Sequence, residues 1–214
     1  MPAVTSSSGS PTPQPSRSKL SQASRRVIVA APASVWSASL DTLRHQVGVT
    51  EATGRNDGAE VEQYLRSVNL GRGNPWCYAL QYWSFAVVSQ RPPVLRTGLV
   101  AAAWNDAVRR GTLTPYVVTV GDLIVWRYLA PDTRGHIERV VRIDRGGWVI
   151  TIGGNVPPEP PRQKRTSIGK LNDRTERDGQ GVWPRTRNVR HPIGRMMLRG
   201  LIGADTALAP KGYH

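Results

Sequence analysis

Gly135-His136-Ile137-Glu138-Arg139-Val140-Val141-Arg142-Ile143-Asp144-Arg145-Gly146-Gly147-Trp148-Val149-Ile150-Thr151-Ile152-Gly153-Gly154-Asn155 holds two β-rich runs separated by Arg145-Gly146-Gly147. Such a stretch reads as a β-hairpin. With the turn centred on Arg145-Gly146, Arg139 opposes Ile152, and Ile137, Val141 and Ile143 share a face with Gly154, Ile150 and Trp148. This mostly apolar match supports the register, because a slip of one residue would send every side chain to the other face. The same register sets His136 opposite Asn155 and Glu138 opposite Gly153. Directly opposite side chains have Cβ atoms about 4.5–5.5 Å apart. An amide at 155 could therefore accept a hydrogen bond from the imidazole and hold its tautomer.

Upstream of the hairpin the period is helical. Residues 34–47 predict a short helix with Ser34 as cap and Val35, Leu40, Leu43 and Val47 on one side. Val61, Tyr64, Leu65 and Val68 recur at i, i+3, i+4 and i+7, which predicts a second helix ended by Asn69 to Gly73. A third is predicted from Asn74 as N-cap and Pro75 at the first helical position. Its face is Trp76, Leu80, Trp83 and Val87, and Arg91-Pro92-Pro93 stops it. A fourth spans residues 99–110 and ends at Gly111. Asp122 to Tyr128 is β-rich, residues 156–190 read as a long Pro-rich, basic loop, and Met196 to Leu201 as a last strand. Helices first and antiparallel strands afterwards predict an α+β fold.

The chain has 214 residues, enough for one domain with a real core. No apolar run reaches the length of a membrane span. Residues 1–24 are Ser, Pro, Thr and Gln with little that is apolar, and read as a disordered tail. Arg25-Arg26 before Val27-Ile28-Val29 has a likeness to a twin-arginine export signal, but the apolar run stops at Pro32. The expected division is a tail at 1–24, a linker or short helix at 25–44, a main domain at 45–203 and a C-terminal tail at 204–214. Lys and Arg number 29 against 15 Asp and Glu, a formal net charge of +14. Such a balance favours anionic polymers without choosing among nucleic acid, wall polymers and lipid head groups.

Cys77 is the single cysteine. An intrachain disulfide and a Cys-based zinc cluster are excluded. If Asn74 caps the third helix, Cys77 lies in its first turn, where free N–H groups and the helix dipole favour the thiolate. A cysteine nucleophile needs a base. Among His45, His136, His191 and His214, only His136 stands at the start of a strand, where a rigid scaffold could aim it. Cysteine at a helix start followed by histidine on a strand is the chain order of papain-like enzymes.

Pro75-Trp76-Cys77, Gly121-Asp122-Leu123-Ile124, Gly135-His136-Ile137 and Thr151-Ile152-Gly153-Gly154-Asn155 together resemble the cysteine, histidine-dependent amidohydrolase/peptidase (CHAP) family. The resemblance extends to Gly48-Val49-Thr50-Glu51, Asn56-Asp57-Gly58 and Val61-Glu62-Gln63-Tyr64-Leu65 before the cysteine. After the hairpin it takes in Asp178-Gly179-Gln180-Gly181-Val182 and Arg185-Thr186-Arg187, so that it covers about residues 45–200. It implies a papain-like fold and hydrolysis of peptidoglycan amide bonds through a thioester, with no metal or organic cofactor. It also implies Cys77 as nucleophile, His136 as base and Asn155 as the residue that orients the base. Trp76, Tyr78 and Asn74 beside the cysteine are the expected substrate contacts.

The chain departs from the family at Tyr78, Glu138, Arg139 and Gly153. An acidic residue is usual two positions before the Asn, and Gly153 stands there instead. Glu138 lies across from that glycine and on the face of His136. The ordinary expectation for it is a surface ion pair with Arg142; the competing one is that it leans into the vacant space and supplies the missing carboxylate.

Two other readings compete. A non-enzymatic basic protein would bind nucleic acid or an anionic wall polymer through Arg162, Lys164, Arg165 and Lys170, then Arg185, Arg187 and Arg190, although no nucleic-acid motif accompanies them. A papain-like effector would act on an amide of another protein. The sequence leaves open which bond is cut, how the chain reaches a cell wall (secretion, a delivery machine or a phage) and its oligomeric state.

Overall fold

The computed structural model describes residues 33–114, 118–128, 135–158, 180–189 and 196–202. The N-terminal tail, Arg162 to Lys170, Arg190, His191 and His214 lie outside them. Four helices come first: α1 (Ala33–Arg44), α2 (Ala59–Ser67), α3 (Cys77–Val88) and α4 (Val100–Arg110). Six strands follow: β1 (Leu113–Thr114), β2 (Leu123–Tyr128), β3 (Gly135–Ile143), β4 (Trp148–Val156), β5 (Gly181–Asn188) and β6 (Met196–Ile202). They form one antiparallel sheet in the order β1-β6-β2-β3-β4-β5. The fold is α+β, as the change of period predicts. Among the described residues, no helix is long and apolar enough to cross a membrane.

α3 is the central element. Cys77 to Tyr82, Ser84 and Phe85 are all buried, the signature of a helix covered on nearly every side. The one-sided face expected of it holds only in part: Trp76 and Leu80 are buried, but Val87 is 56% exposed. α2 buries Val61, Tyr64 and Leu65, three of the four residues on its predicted stripe, and Val68 closes the same core just beyond it. α4 ends at Gly111, whose φ of 65° is the left-handed conformation that glycine adopts freely at a helix end.

α1 belongs to this core rather than to a linker. Trp36, Leu40 and Leu43 are buried, while Val47 lies outside the helix and is exposed. Trp36 meets Phe85 of α3 edge to face, with ring centroids 4.8 Å apart. Beneath them lies Arg139 of β3, its guanidinium carbon 4.2 Å from the Phe85 ring centre and 4.9 Å from that of Trp36. Arg139 Nη2 donates to Trp36 O at 3.2 Å and to Ser39 Oγ at 2.9 Å. A residue read as a departure from an apolar pattern is thus the platform on which α1 rests.

The β3–β4 ladder runs from Glu138–Gly153 to Ile143–Val149. Glu138–Gly153 and Arg139–Ile152 pair as the sequence predicts. A bulge at Val141 then shifts the register by one, so Arg142 pairs with Ile150. The turn holds one residue more than a tight hairpin, a single 3-10 turn at Arg145–Gly147 with Gly146 at φ 71°. A bulge of this kind lets two residues oppose one.

Residues 156–190 are not loop throughout. β5 pairs with β4 from Trp148–Asn188 to Val156–Gly181 and forms the sheet edge. Its Pro184 is compatible with that position, since an edge strand tolerates a missing N–H.

Candidate active site

Cys77 is the first residue of α3, and Trp76 is its N-cap with no side-chain cap hydrogen bond. Asn74 does not cap the helix: its Nδ2 donates to Gly71 O at 3.0 Å. The helix therefore begins two residues later than predicted. Cys77 stands at the very end of the helix dipole, and its own N–H has no acceptor within the helix.

His136 lies near the start of β3 and is 7% exposed. The Cys77 side chain lies close enough to the imidazole to favour its protonated form. Nε2 faces Glu138 Oε1 at 3.0 Å. Trp126, opposite His136 on β2, stacks on the imidazole with ring centroids 6.4 Å apart. Cys77, His136 and Glu138 thus stand in series, with the imidazole in reach of both the sulfur and the carboxylate.

Glu138 is fully buried. A buried carboxylate survives as an anion only if charge and hydrogen bonds compensate its lost hydration. Here Arg187 and Thr151 supply three donors. Arg187 Nε donates to Oε2 at 3.0 Å, its Nη2 donates to Oε1, and Thr151 Oγ1 donates to Oε2. Arg142 takes no part, because its guanidinium is bound to Asp144. Burial alone would raise the Glu138 pKa, but the charge and hydrogen bonds of Arg187, then those of His136, hold it well below the usual carboxylate range. Burial lowers the His136 pKa, and the hydrogen bonds and charges of Cys77 and Glu138 outweigh it and lift the value to about 9.

Gly153 is what allows this arrangement. A Cβ there would lie 2.9 Å from Glu138 Cγ and 3.1 Å from Oε1, closer than ordinary contact. Glu138 occupies the space left open across the ladder.

Asn155 does not hold the imidazole. It leaves the β3–β4 ladder with a φ of 57°, a conformation asparagine tolerates better than most residues. Its Oδ1 is buried without a hydrogen-bond partner, and the contact with the imidazole expected of it is made by Glu138, at Nε2. The physical reason is the bulge between Gly153 and Val156 on the β5 side of the strand.

Two of the three expected substrate contacts are core residues. Trp76 and Tyr78 are fully buried. Trp76 Nε1 donates to Glu51 Oε1 at 2.9 Å, and Tyr78 Oη donates to Leu95 O at 2.8 Å. Asn74 alone of the three is partly exposed. A cavity of about 380 Å³ opens instead between Thr50, Glu51, Thr53 and Gly54 on one side and Pro158, Gln180 and Trp183 on the other. Glu51, which anchors Trp76 next to the cysteine, forms part of its wall.

Thr151 and Arg187 are the site residues that sequence reading missed. Arg187 was assigned to a basic surface, yet it is 7% exposed, and Arg185 is 8% exposed with Nη1 donating to Pro157 O at 2.8 Å. The alternation of Val182, Pro184 and Thr186 with Trp183, Arg185 and Arg187 was the available signal of a strand.

No family model matches the chain, and no curated protein matches it. Among solved structures it is similar to a chain in the crystal structure of Ly7917, with 16% identity and a TM-score of 0.37. The alignment covers 72% of this chain and 56% of that one, so this chain spans little more than half that protein's length.

Proposed function

We propose that the protein is a cysteine-dependent amide hydrolase of CHAP type, with Cys77 as nucleophile and peptidoglycan as substrate. The observation that carries this reading is the series Cys77–His136–Glu138, with the cysteine at the N-terminus of a buried helix and the imidazole hydrogen-bonded to the carboxylate. A nucleophile, a base and a group that orients the base, in mutual reach, are the parts that acyl transfer by a thiol requires. The choice of peptidoglycan rests on the resemblance of the motifs around these residues.

In this reading the Cys77 sulfur attacks the amide carbonyl carbon as thiolate. The carbonyl oxygen gathers negative charge at the end of α3, where the Cys77 N–H is available to it. His136, protonated at neutral pH because its pKa lies near 9, passes its proton to the leaving amine as the C–N bond breaks. The neutral imidazole then takes a proton from water, whose oxygen attacks the thioester and expels Cys77. Glu138 keeps the Nε2 proton in place and balances the imidazolium, the part that Asn155 was expected to play.

A basic protein that only binds an anionic polymer is less well supported. Two of the cations assigned to its contact surface, Arg185 and Arg187, are buried.

Digestion of purified peptidoglycan, with mass analysis of the released fragments, tests the proposal. Wild-type protein is expected to generate new amine and carboxyl ends at one amide bond. C77S and H136A are expected to lose at least about a thousandfold in turnover while keeping the fold. A folded C77S variant with most of its activity would end this reading, and inertness of the wild type toward peptidoglycan would remove the substrate assignment.

A further inference from the structure

We propose that Arg187 is a positioning residue of the same site: its guanidinium fixes the Glu138 carboxylate, and through it the orientation and proton affinity of His136. The inference rests on the proposed reading of Cys77 and His136 and adds to it a residue from the edge strand β5.

Arg187 and Glu138 meet through two parallel contacts, Nε to Oε2 and Nη2 to Oε1. A planar guanidinium on a carboxylate in this manner fixes the carboxylate plane as well as its position. The guanidinium carbon also lies 5.2 Å from the centre of the Trp126 ring, and that ring stacks on His136. Arg187 therefore braces both groups that touch the imidazole. Thr151 Oγ1 adds a third donor to the same carboxylate from β4. Glu138 Oε1 receives the Arg187 Nη2 contact and faces His136 Nε2, so any rotation of the carboxylate would break both at once.

Among the described residues, the charged and titratable groups that face this pair are few. α3 presents Cys77, and β5 presents Arg187 and, two positions away on the same face, Arg185. β2 presents Trp126 and Ile124, and β4 presents Thr151. Removing Arg187 takes one positive charge from this enclosed group. The Glu138 carboxylate then lacks its counter-charge and bears undiminished on His136, which keeps its proton to higher pH.

The test uses the rate of alkylation of Cys77 by iodoacetamide as a function of pH, in the full chain, which requires no wall substrate. Wild type is expected to show two ionisations, one for forming the thiolate–imidazolium pair and one for loss of the imidazolium proton. In R187M the loss of the imidazolium proton is expected to move upward by about one pH unit. R187K, which keeps the charge and loses the parallel contacts, is expected to hold the two ionisations in place while turnover on peptidoglycan falls several-fold. Since Arg187 acts through Glu138, E138Q and E138Q/R187M are expected to share one profile, and this comparison stands even if R187M alone does not fold. An R187M profile identical to wild type overturns the inference. So does a further shift in E138Q/R187M relative to E138Q. Failure of the underlying reading has a different appearance: a wild-type Cys77 without the two-step profile.

Discussion

Gly153→Ala is a one-carbon perturbation that reaches the imidazole by contact alone. The new Cβ would sit 2.9 Å from Glu138 Cγ, 3.1 Å from Oε1 and 3.2 Å from Cδ. Carbon atoms in ordinary contact lie about 3.5–4.0 Å apart, so Glu138 must retreat by roughly half an ångström. A free side chain would do so easily. This one is tied at its far end by Arg187, Thr151 and His136. A retreat along the strand normal lengthens the 3.0 Å bond to His136 Nε2 to about 3.5 Å, outside hydrogen-bond range. Overpacking of this size destabilises a core by about 1–3 kcal/mol, or a fall of several degrees in Tm for a domain of this size. Since a 1 Å misplacement can lower turnover about a hundredfold, half of that is expected to lower it about tenfold. The assay is fragment release from peptidoglycan together with the pH profile of Cys77 alkylation, each compared with Tm. The expected result is a folded variant with a roughly tenfold lower kcat and a His136 ionisation shifted below that of wild type. A folded G153A protein with wild-type turnover and an unmoved profile would refute the claim that Glu138 holds His136 through the space at 153.

Two further outcomes follow from the buried charges. His136 has a folded value of about 9 against 6.5 for the free side chain; a raised folded value stabilises fully below about 6.5, and that contribution is lost as pH rises to about 9. Tm of the wild type should therefore fall across this window and that of H136A should not, and equal slopes would refute the assignment. Arg139 is buried with Nε and Nη1 unpartnered, and burial lowers its pKa to about 9. R139M, which keeps the volume and removes the charge, should match or exceed wild-type Tm, whereas R139A should lose about 2–5 kcal/mol through the cavity it leaves beneath Trp36. A loss in R139M as large as in R139A would show that the guanidinium itself holds α1 in place.

What the sequence determined by itself lies where the interactions are local. The i, i+3, i+4 pattern of Val61, Tyr64 and Leu65 is realised in α2, and Gly111 ends α4. The turn between Ile143 and Trp148 puts Glu138 opposite Gly153, and the empty space at the glycine makes a carboxylate there the rival of a surface ion pair with Arg142; the structure decides for the former. Strand pairing across a short turn has few alternatives, which is why the register is readable over Glu138 to Val140; it fails beyond the bulge at Val141 and again at Asn155, which leaves the ladder. Tertiary structure decided the rest. Asn74 looked like a cap, but the chain from Asn74 to Trp76 is held by Gly71 and Glu51, and the helix starts at Cys77. β5 reads as a basic, Pro-containing stretch, because strand propensity depends on the neighbours a segment finds, and its neighbour is β4, more than thirty residues away at Thr151–Arg185. An arginine in such a stretch looks like a solvated surface charge until its partner is known. Only the sheet brings Arg187 onto a carboxylate that is itself buried, and burial is what turns that pair from a weak surface contact into the support of His136.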